Sequence, residues 1–228
     1  MLNLLSFWKG KDFLTQVYKE FGDMIEDTKE MFHMVCEKLM EGKVDLELKD
    51  RIWTLDKTVN ELEKDIRVRI VEHLSVQPSS DVPFCLVLMS VVKDAERLGD
   101  YAKNLFEVTE MLHKPLNMKL YTKYFNKLDQ ALLELFEKTK TAFIESDEKT
   151  AKEITDLERH IVKTCDQIIM NLSKSDLSTN EAVCMTLIAR YFKRLAAHLT
   201  NIGTSVILPI SQLDFFDEKL RHAQAYQR

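Results

Sequence analysis

Glycine and proline are scarce in this chain, five and four among 228 residues. Both punctuate helices, so their scarcity beside abundant Leu, Glu, Lys, Met and Ala predicts a nearly all-helical protein. Long apolar runs are missing too. The longest, VPFCLVLMSVV at 82–92, is far short of the about 20 residues that cross a bilayer. The charge has no basic excess: the formal net is −5 and the sequence pI is 5.8, which gives no support for nucleic-acid binding. The four cysteines (Cys36, Cys85, Cys165 and Cys184) stand far apart in apolar neighbourhoods without a CxxC pair. Buried free thiols are therefore expected rather than a metal or redox site. The opening MLNLLSFWKG has neither a basic leader nor a small-residue cleavage site, so no secretion signal is expected. Its LLSFW run would pack on the body or touch a membrane surface. The expected location is cytoplasmic. No Ser/His/Asp arrangement and no phosphate-cradling Gly-rich loop is present, which predicts a non-enzyme.

What is present is helical periodicity, cut at a few points. Helices are expected over about 12–40, 45–74, 81–113, 117–144, 149–172 and 179–208. Gly42 supplies a C-cap, Ser80 or Asp81 an N-cap, and Pro83 a first-turn proline. Ser178 and Glu181 form a capping-box signature. Three helices, a proline break and three more of similar length suggest a duplication. A shift of 97 positions supports it, because Lys93, Arg97, Leu98 and Asn104 fall on Arg190, Arg194, Leu195 and Asn201. Leu88, Val91 and Leu105 fall on Met185, Ile188 and Ile202. The expected fold is all-α: two tandem three-helix bundles, 11–113 and 115–210, with a tail at 211–228 that holds one more short helix or frays.

The stretch DAERLGDYAKN, Asp94–Asn104, carries two penalties within five residues. Gly99 costs a helix about 1 kcal/mol against alanine. Glu96 and Asp100, four apart, lie on one face and repel. Ala95, Leu98, Ala102, Leu105 and Thr109 form the expected buried stripe, with Glu96, Asp100, Lys103 and Glu107 beside it. One reading is a solvated charged flank. The other is a cation between the acids, with Gly99 admitting a close neighbour.

ERLGDYAKN resembles the signature helix of the PhoU family of phosphate-signalling regulators, with the pattern Glu-Arg-Ile/Leu-Gly-Asp-x-Ala-x-Asn. LDKTVNELEKDIR at 55–67 is similar to the family's second helix, and the likeness extends over roughly 15–207. It implies a six-helix duplicated fold and Glu/Asp-x-x-x-Asp pairs on adjacent helices that hold divalent metal or iron. Transferred by position, the ligands in repeat one are Asp56, Asn60, Glu96 and Asp100. Asn60 departs from a full carboxylate pair but keeps an amide oxygen. Hard oxygen donors suit Mg, Ca, Mn or iron. In repeat two Lys193, Ala197 and Val162 replace expected acids and Ala196 replaces the glycine. Arg190, Lys193, Arg194 and His198 run along one flank, either as a solvated stripe or with Lys193 replacing a metal and pairing with Glu158. His160 and His198 are read as packed or surface residues.

The resemblance implies a regulatory adaptor that contacts the ATPase of a phosphate transporter, a sensor histidine kinase or a sodium–phosphate symporter. It would reach the membrane only through partners, and a homodimer is left open. One alternative is an accessory regulator of an inorganic-phosphate permease. Another is a carboxylate-bridged di-metal enzyme, for which the Glu-x-x-His spacings are Glu30–His33 and Glu110–His113. A metal-free helical scaffold is the remaining one.

Overall fold

A computed structural model describes the backbone of residues 10–41, 46–76 and 81–213. The LLSFW run, Gly42, Ser80 and the tail beyond 213 lie outside the described residues. Those described form seven helices: α1 Gly10–Glu41, α2 Leu46–Val76, α3 Val82–Met111, α4 Met118–Phe125, α5 Leu128–Glu145, α6 Glu148–Leu172 and α7 Thr179–Thr204, then a 3-10 turn at Ile210–Gln212. No helix among them is long and apolar enough to cross a membrane. The first repeat is α1–α3 and the second α4–α7.

Apolar residues at three- and four-residue spacing bury one stripe per helix. In α1 the stripe is Val17, Phe21, Met24, Met31, Phe32 and Val35, all without exposed surface. Phe32 lies 5.8 Å from the ring of Phe136 in α5 and 5.5 Å from that of Phe192 in α7. The two bundles thus share a core through aromatic contacts, each burying about 1.5–3 kcal/mol of side chain. Local signals place several helix starts. Asn117 Oδ1 accepts from the N–H groups of Lys119 and Leu120, and Asp147 Oδ1 from those of Lys149 and Thr150. Ser178 Oγ accepts from the Glu181 N–H at 3.3 Å and donates to Glu181 Oε2 at 2.7 Å.

The expected fourth helix, 117–144, is broken in two. Asn126 and Lys127 adopt left-handed backbone, φ 33° and 63°, and the Asn126 N–H closes α4 on the Thr122 carbonyl at 3.1 Å. Tyr121, Phe125, Leu128 and Leu132 continue a helical spacing through the break, which hides it from a periodicity reading. Asp81 holds the N-cap position of α3, as expected, but without a side-chain cap. Its side chain instead meets His73 Nε2 at 2.8 Å.

The repeats meet along α3 and α7, and the 97-residue offset relates the two sides. Asp94 Oδ1 and His198 Nδ1 are 2.6 Å apart. Their counterparts through the offset are Tyr191 and Tyr101, whose rings lie 6.0 Å apart. Tyr101 and His198, equivalent to each other, stack at 5.5 Å. The contact is therefore a pseudo-two-fold axis carrying different chemistry on its two halves. The Asn201 amide also donates to Asp94 Oδ1 at 3.2 Å, and Arg194 Nε donates to the Tyr101 hydroxyl at 3.0 Å.

The glycine expected to admit a close neighbour is not sterically required. A Cβ at Gly99 would stand 3.5 Å from Asp56 Oδ1 and 3.6 Å from Thr28 Cγ2, ordinary contact distances. At Gly203 it would run into Ile154 Cδ1, and Ile154 is fully buried. Gly203→Ala should therefore destabilise by about 1–3 kcal/mol through overpacking, whereas Gly99→Ala should be neutral or gain up to about 1 kcal/mol of helix propensity. Denaturant midpoints of the two variants check this. A destabilised Gly99→Ala beside an unchanged Gly203→Ala would contradict the packing described.

Candidate functional site

Two charged faces meet where α2 crosses beside α3. On α2, Asp56, Asn60, Glu63 and Arg67 recur every three or four residues and so share one side. On α3, Lys93, Glu96, Asp100 and Lys103 do the same, with Arg97 on the flank. The antiparallel pairing forms a ladder. Lys103 Nζ lies 2.8 Å from Asp56 Oδ1 and 3.1 Å from Asp100 Oδ1. Arg97 Nη1 takes the other Asp100 oxygen at 2.9 Å. Lys93 Nζ is 2.8 Å from Glu96 Oε2 and 4.0 Å from Glu63 Oε1. Arg67 Nη2 reaches Glu63 Oε1 at 2.9 Å, an ionic contact without hydrogen-bond alignment. The Asn60 amide donates to Asp56 Oδ2 at 3.2 Å.

Burial makes this pairing matter. The Asp56, Glu63 and Glu96 side chains are only 13%, 9% and 11% exposed. Near a protein surface a pair of unit charges 4 Å apart interacts by about 4 kcal/mol, against about 1 in bulk water. Carboxylates drawn together here need cations, and the ladder matches four (Asp56, Glu63, Glu96, Asp100) with four (Arg67, Lys93, Arg97, Lys103). Burial opposes the charge on Lys103, but its bonds to Asp56 and Asp100 outweigh that and hold its pKa above the ordinary lysine value.

All four expected ligands therefore lie on one helix pair, but they do not form a metal pocket as arranged. Asp56 and Asp100 close on Lys103, Asn60 bonds Asp56, and Glu96 turns to Lys93. Among the described residues no three His, Cys, Asp or Glu side chains converge as a metal-ligand set. Lys93, Arg97 and Lys103 as ion partners, and Glu63 and Arg67 altogether, escaped the sequence reading. The available signal was the i,i+3 placement of Lys93 before Glu96 and of Lys103 after Asp100.

Elsewhere the structure redistributes the candidates. In repeat two Lys193 Nζ bonds both oxygens of Asp166, at 2.7 and 2.8 Å, where pairing with Glu158 was expected. The helix register explains the difference. Ile154 faces Gly203, so the level of Lys193 on antiparallel α6 falls near residue 164. Glu158 is about 9 Å short of that level at 1.5 Å per residue. Neither Glu-x-x-His spacing forms a site. Glu30 pairs with Arg51, and His33 lies 3.6 Å from Glu37. Glu110 pairs with Lys49 at 2.9 Å, and the His113 backbone N–H donates to Asn180. The four cysteines are buried and unbridged, as expected. Burial pushes the Cys165 thiol up to about 12, which leaves it without the thiolate that reactivity needs. A cleft of about 230 Å³, floored by Tyr18, Phe84 and Phe143, opens between the repeats and shares no residue with the ladder.

One acid lacks the balance seen in the ladder. Burial, then the neighbouring charges of Asp23, Glu30 and Glu26, push the Asp27 carboxyl above its ordinary 3.8. The folded state then holds this proton more tightly than the unfolded chain, so stability falls as pH rises from 3.8 through the folded-state value. Asp27→Asn removes that penalty. It should raise Tm at pH 7, with a gain that shrinks as pH is lowered toward 3.8. Thermal melts across pH check this, and a pH-independent gain would contradict it.

Comparison with known proteins accords with this architecture. Residues 21–109 and 125–206 each match the PhoU domain. The chain is 32% identical over 104 residues to the phosphate-specific transport system accessory protein PhoU homolog 1 of Thermotoga maritima. That match covers 46% of this chain and 44% of that relative, so it spans less than half the relative's length. It is 24% identical over 190 residues to the phosphate-specific transport system accessory protein PhoU homolog of Aquifex aeolicus, covering 78% of this chain and 86% of the relative. Among solved structures, the phosphate transport system regulatory protein PhoU from Streptococcus pneumoniae superposes with a TM-score of 0.75 at 18% identity, covering 89% of this chain and 95% of that one. PhoU from Pseudomonas aeruginosa gives 0.77 at 18%, covering 87% and 97%. At such identity these two speak for the fold. With both repeats matched by the domain over most of the chain, the protein belongs to the PhoU family.

Proposed function

We propose that this protein is a cytoplasmic regulatory accessory protein of phosphate transport, an adaptor that modulates a phosphate transporter through its ATPase or a phosphate-sensing histidine kinase. The observation that carries this reading is the match of both repeats to the PhoU domain, beside relatives that bear the name of phosphate-specific transport accessory proteins. Regulation here is by contact rather than turnover. The charged residues of the α2–α3 ladder are committed to helix pairing, and burial raises the pKa of all four thiols. An adaptor of this kind meets the membrane through its partner, in keeping with the described helices, none of which is long and apolar enough to cross it. The accessory role at an inorganic-phosphate permease is the same reading with a different transporter. No observation favours the di-metal enzyme, since Glu30, His33 and Glu110 lie in separate surface ion pairs and His113 meets Asn180 through its backbone.

Crosslinking in the native host, followed by affinity capture and mass spectrometry, tests the proposal. A transporter ATPase, a histidine kinase or a phosphate permease is expected among the captured partners. Deleting the gene should alter phosphate uptake in phosphate-replete medium. Unchanged uptake together with none of these partners would reject the reading.

A further inference from the structure

The family resemblance puts a metal at the α2–α3 face, but the geometry of this chain puts an ammonium there. We infer that Lys103 is a tethered cation that takes the place of a metal ion between Asp56 and Asp100, so that repeat one is complete without metal and becomes a divalent-cation site only when Lys103 is removed.

Position supplies the first argument. Lys103 Nζ stands 2.8 Å from Asp56 Oδ1 and 3.1 Å from Asp100 Oδ1, one charge shared by two carboxylates on two helices. A divalent ion bridging these oxygens would lie about 2.0–2.6 Å from each, in the space that the ammonium fills. Lys103 reaches it from α3, one turn beyond Asp100, so no external ligand is needed to bring the helices together.

Charge supplies the second. A divalent ion added to two carboxylates that already share an ammonium would bring an excess of positive charge into a half-buried cleft. The nearest further acid does not relieve this, because Glu96 is held by Lys93 at 2.8 Å, and Arg97 occupies the second oxygen of Asp100 at 2.9 Å. The ladder is closed at each rung by groups of the chain itself.

The donor set supplies the third. With Lys103 withdrawn, Asp56 and Asp100 present facing oxygens. Asn60, now donating its amide to Asp56 at 3.2 Å, has a carbonyl oxygen on the same amide that a half-turn of the group would present. Two carboxylates and an amide, completed by water, are a hard-oxygen set for Mn²⁺, Mg²⁺ or Ca²⁺.

The test uses the full chain, stripped by a chelator and then titrated with Mn²⁺. Thermal melting and metal content per chain are read for wild type, Lys103→Met, Lys103→Arg and Lys103→Met/Asp100→Asn. Wild type and Lys103→Arg should keep a constant Tm and carry no stoichiometric metal. Lys103→Met should melt lower without metal, gain at least about 2–4 °C with Mn²⁺ and hold one ion per chain. Adding Asp100→Asn should abolish the gain. If Lys103→Met does not fold, Lys103→Gln replaces it, with the same outcomes expected. One Mn²⁺ per wild-type chain with a rise in its Tm overturns the inference. So does a Lys103→Met or Lys103→Gln chain that neither binds Mn²⁺ nor responds to it.

Discussion

A carboxylate drawn into the low-dielectric boundary between helices must meet a donor or a cation, and this requirement organises the protein around α3. That helix carries three such acids on two flanks. Asp94 points to repeat two, where His198 and Asn201 satisfy one of its oxygens. Glu96 and Asp100 face α2, and Lys93, Arg97 and Lys103 of α3 with Arg67 of α2 balance them and the α2 acids Asp56 and Glu63. Between the flanks Ala95, Leu98, Ala102 and Leu105 are fully buried. Sliding α3 by one residue would break the ladder, the Asp94–His198 contact and the apolar stripe at once. The cost of burying charge thereby fixes one register of the helix against both of its polar neighbours.

The duplicated halves have diverged in how they meet this requirement. Repeat one crowds acids and supplies matching bases. Repeat two removes the acids at the equivalent positions, leaving Ala197 where repeat one has Asp100 and Lys193 where it has Glu96, and it holds Lys193 on a single carboxylate, Asp166. It also packs a glycine, Gly203, directly against Ile154 of α6. The axis between the halves is asymmetric in the same way, an acid–imidazole contact on one side and a tyrosine pair on the other. A shared backbone symmetry with unlike side chains gives the two faces different chemistry.

The all-α class, the duplication and the three helices of repeat one were legible because apolar spacing and capping residues are local signals. The Asn126–Lys127 break was not, since apolar spacing runs through it and neither residue is glycine. The charged face of α3 was legible as a group of residues but not as an arrangement. Spacing placed Glu96, Asp100 and Lys103 together, yet which acid meets which base depends on the register of α2 against α3, and no local pattern encodes that. The same gap assigned Lys193 to Glu158, since matching the repeats by position ignores where antiparallel α6 stands relative to α7. Gly99 drew attention through its motif, whereas the glycine that packing requires, Gly203, stands in an unremarked run near the end of α7.

The central claim is that the buried acids of repeat one are neutralised by the chain's own bases. The most direct measurement is a crystal structure of protein grown and crystallised with Mn²⁺, with anomalous scattering recorded at the manganese edge. The account predicts Lys103 Nζ between Asp56 and Asp100 and no anomalous peak on that face. An anomalous peak within about 2.0–2.6 Å of both carboxylates, with Lys103 turned out to solvent, would contradict it.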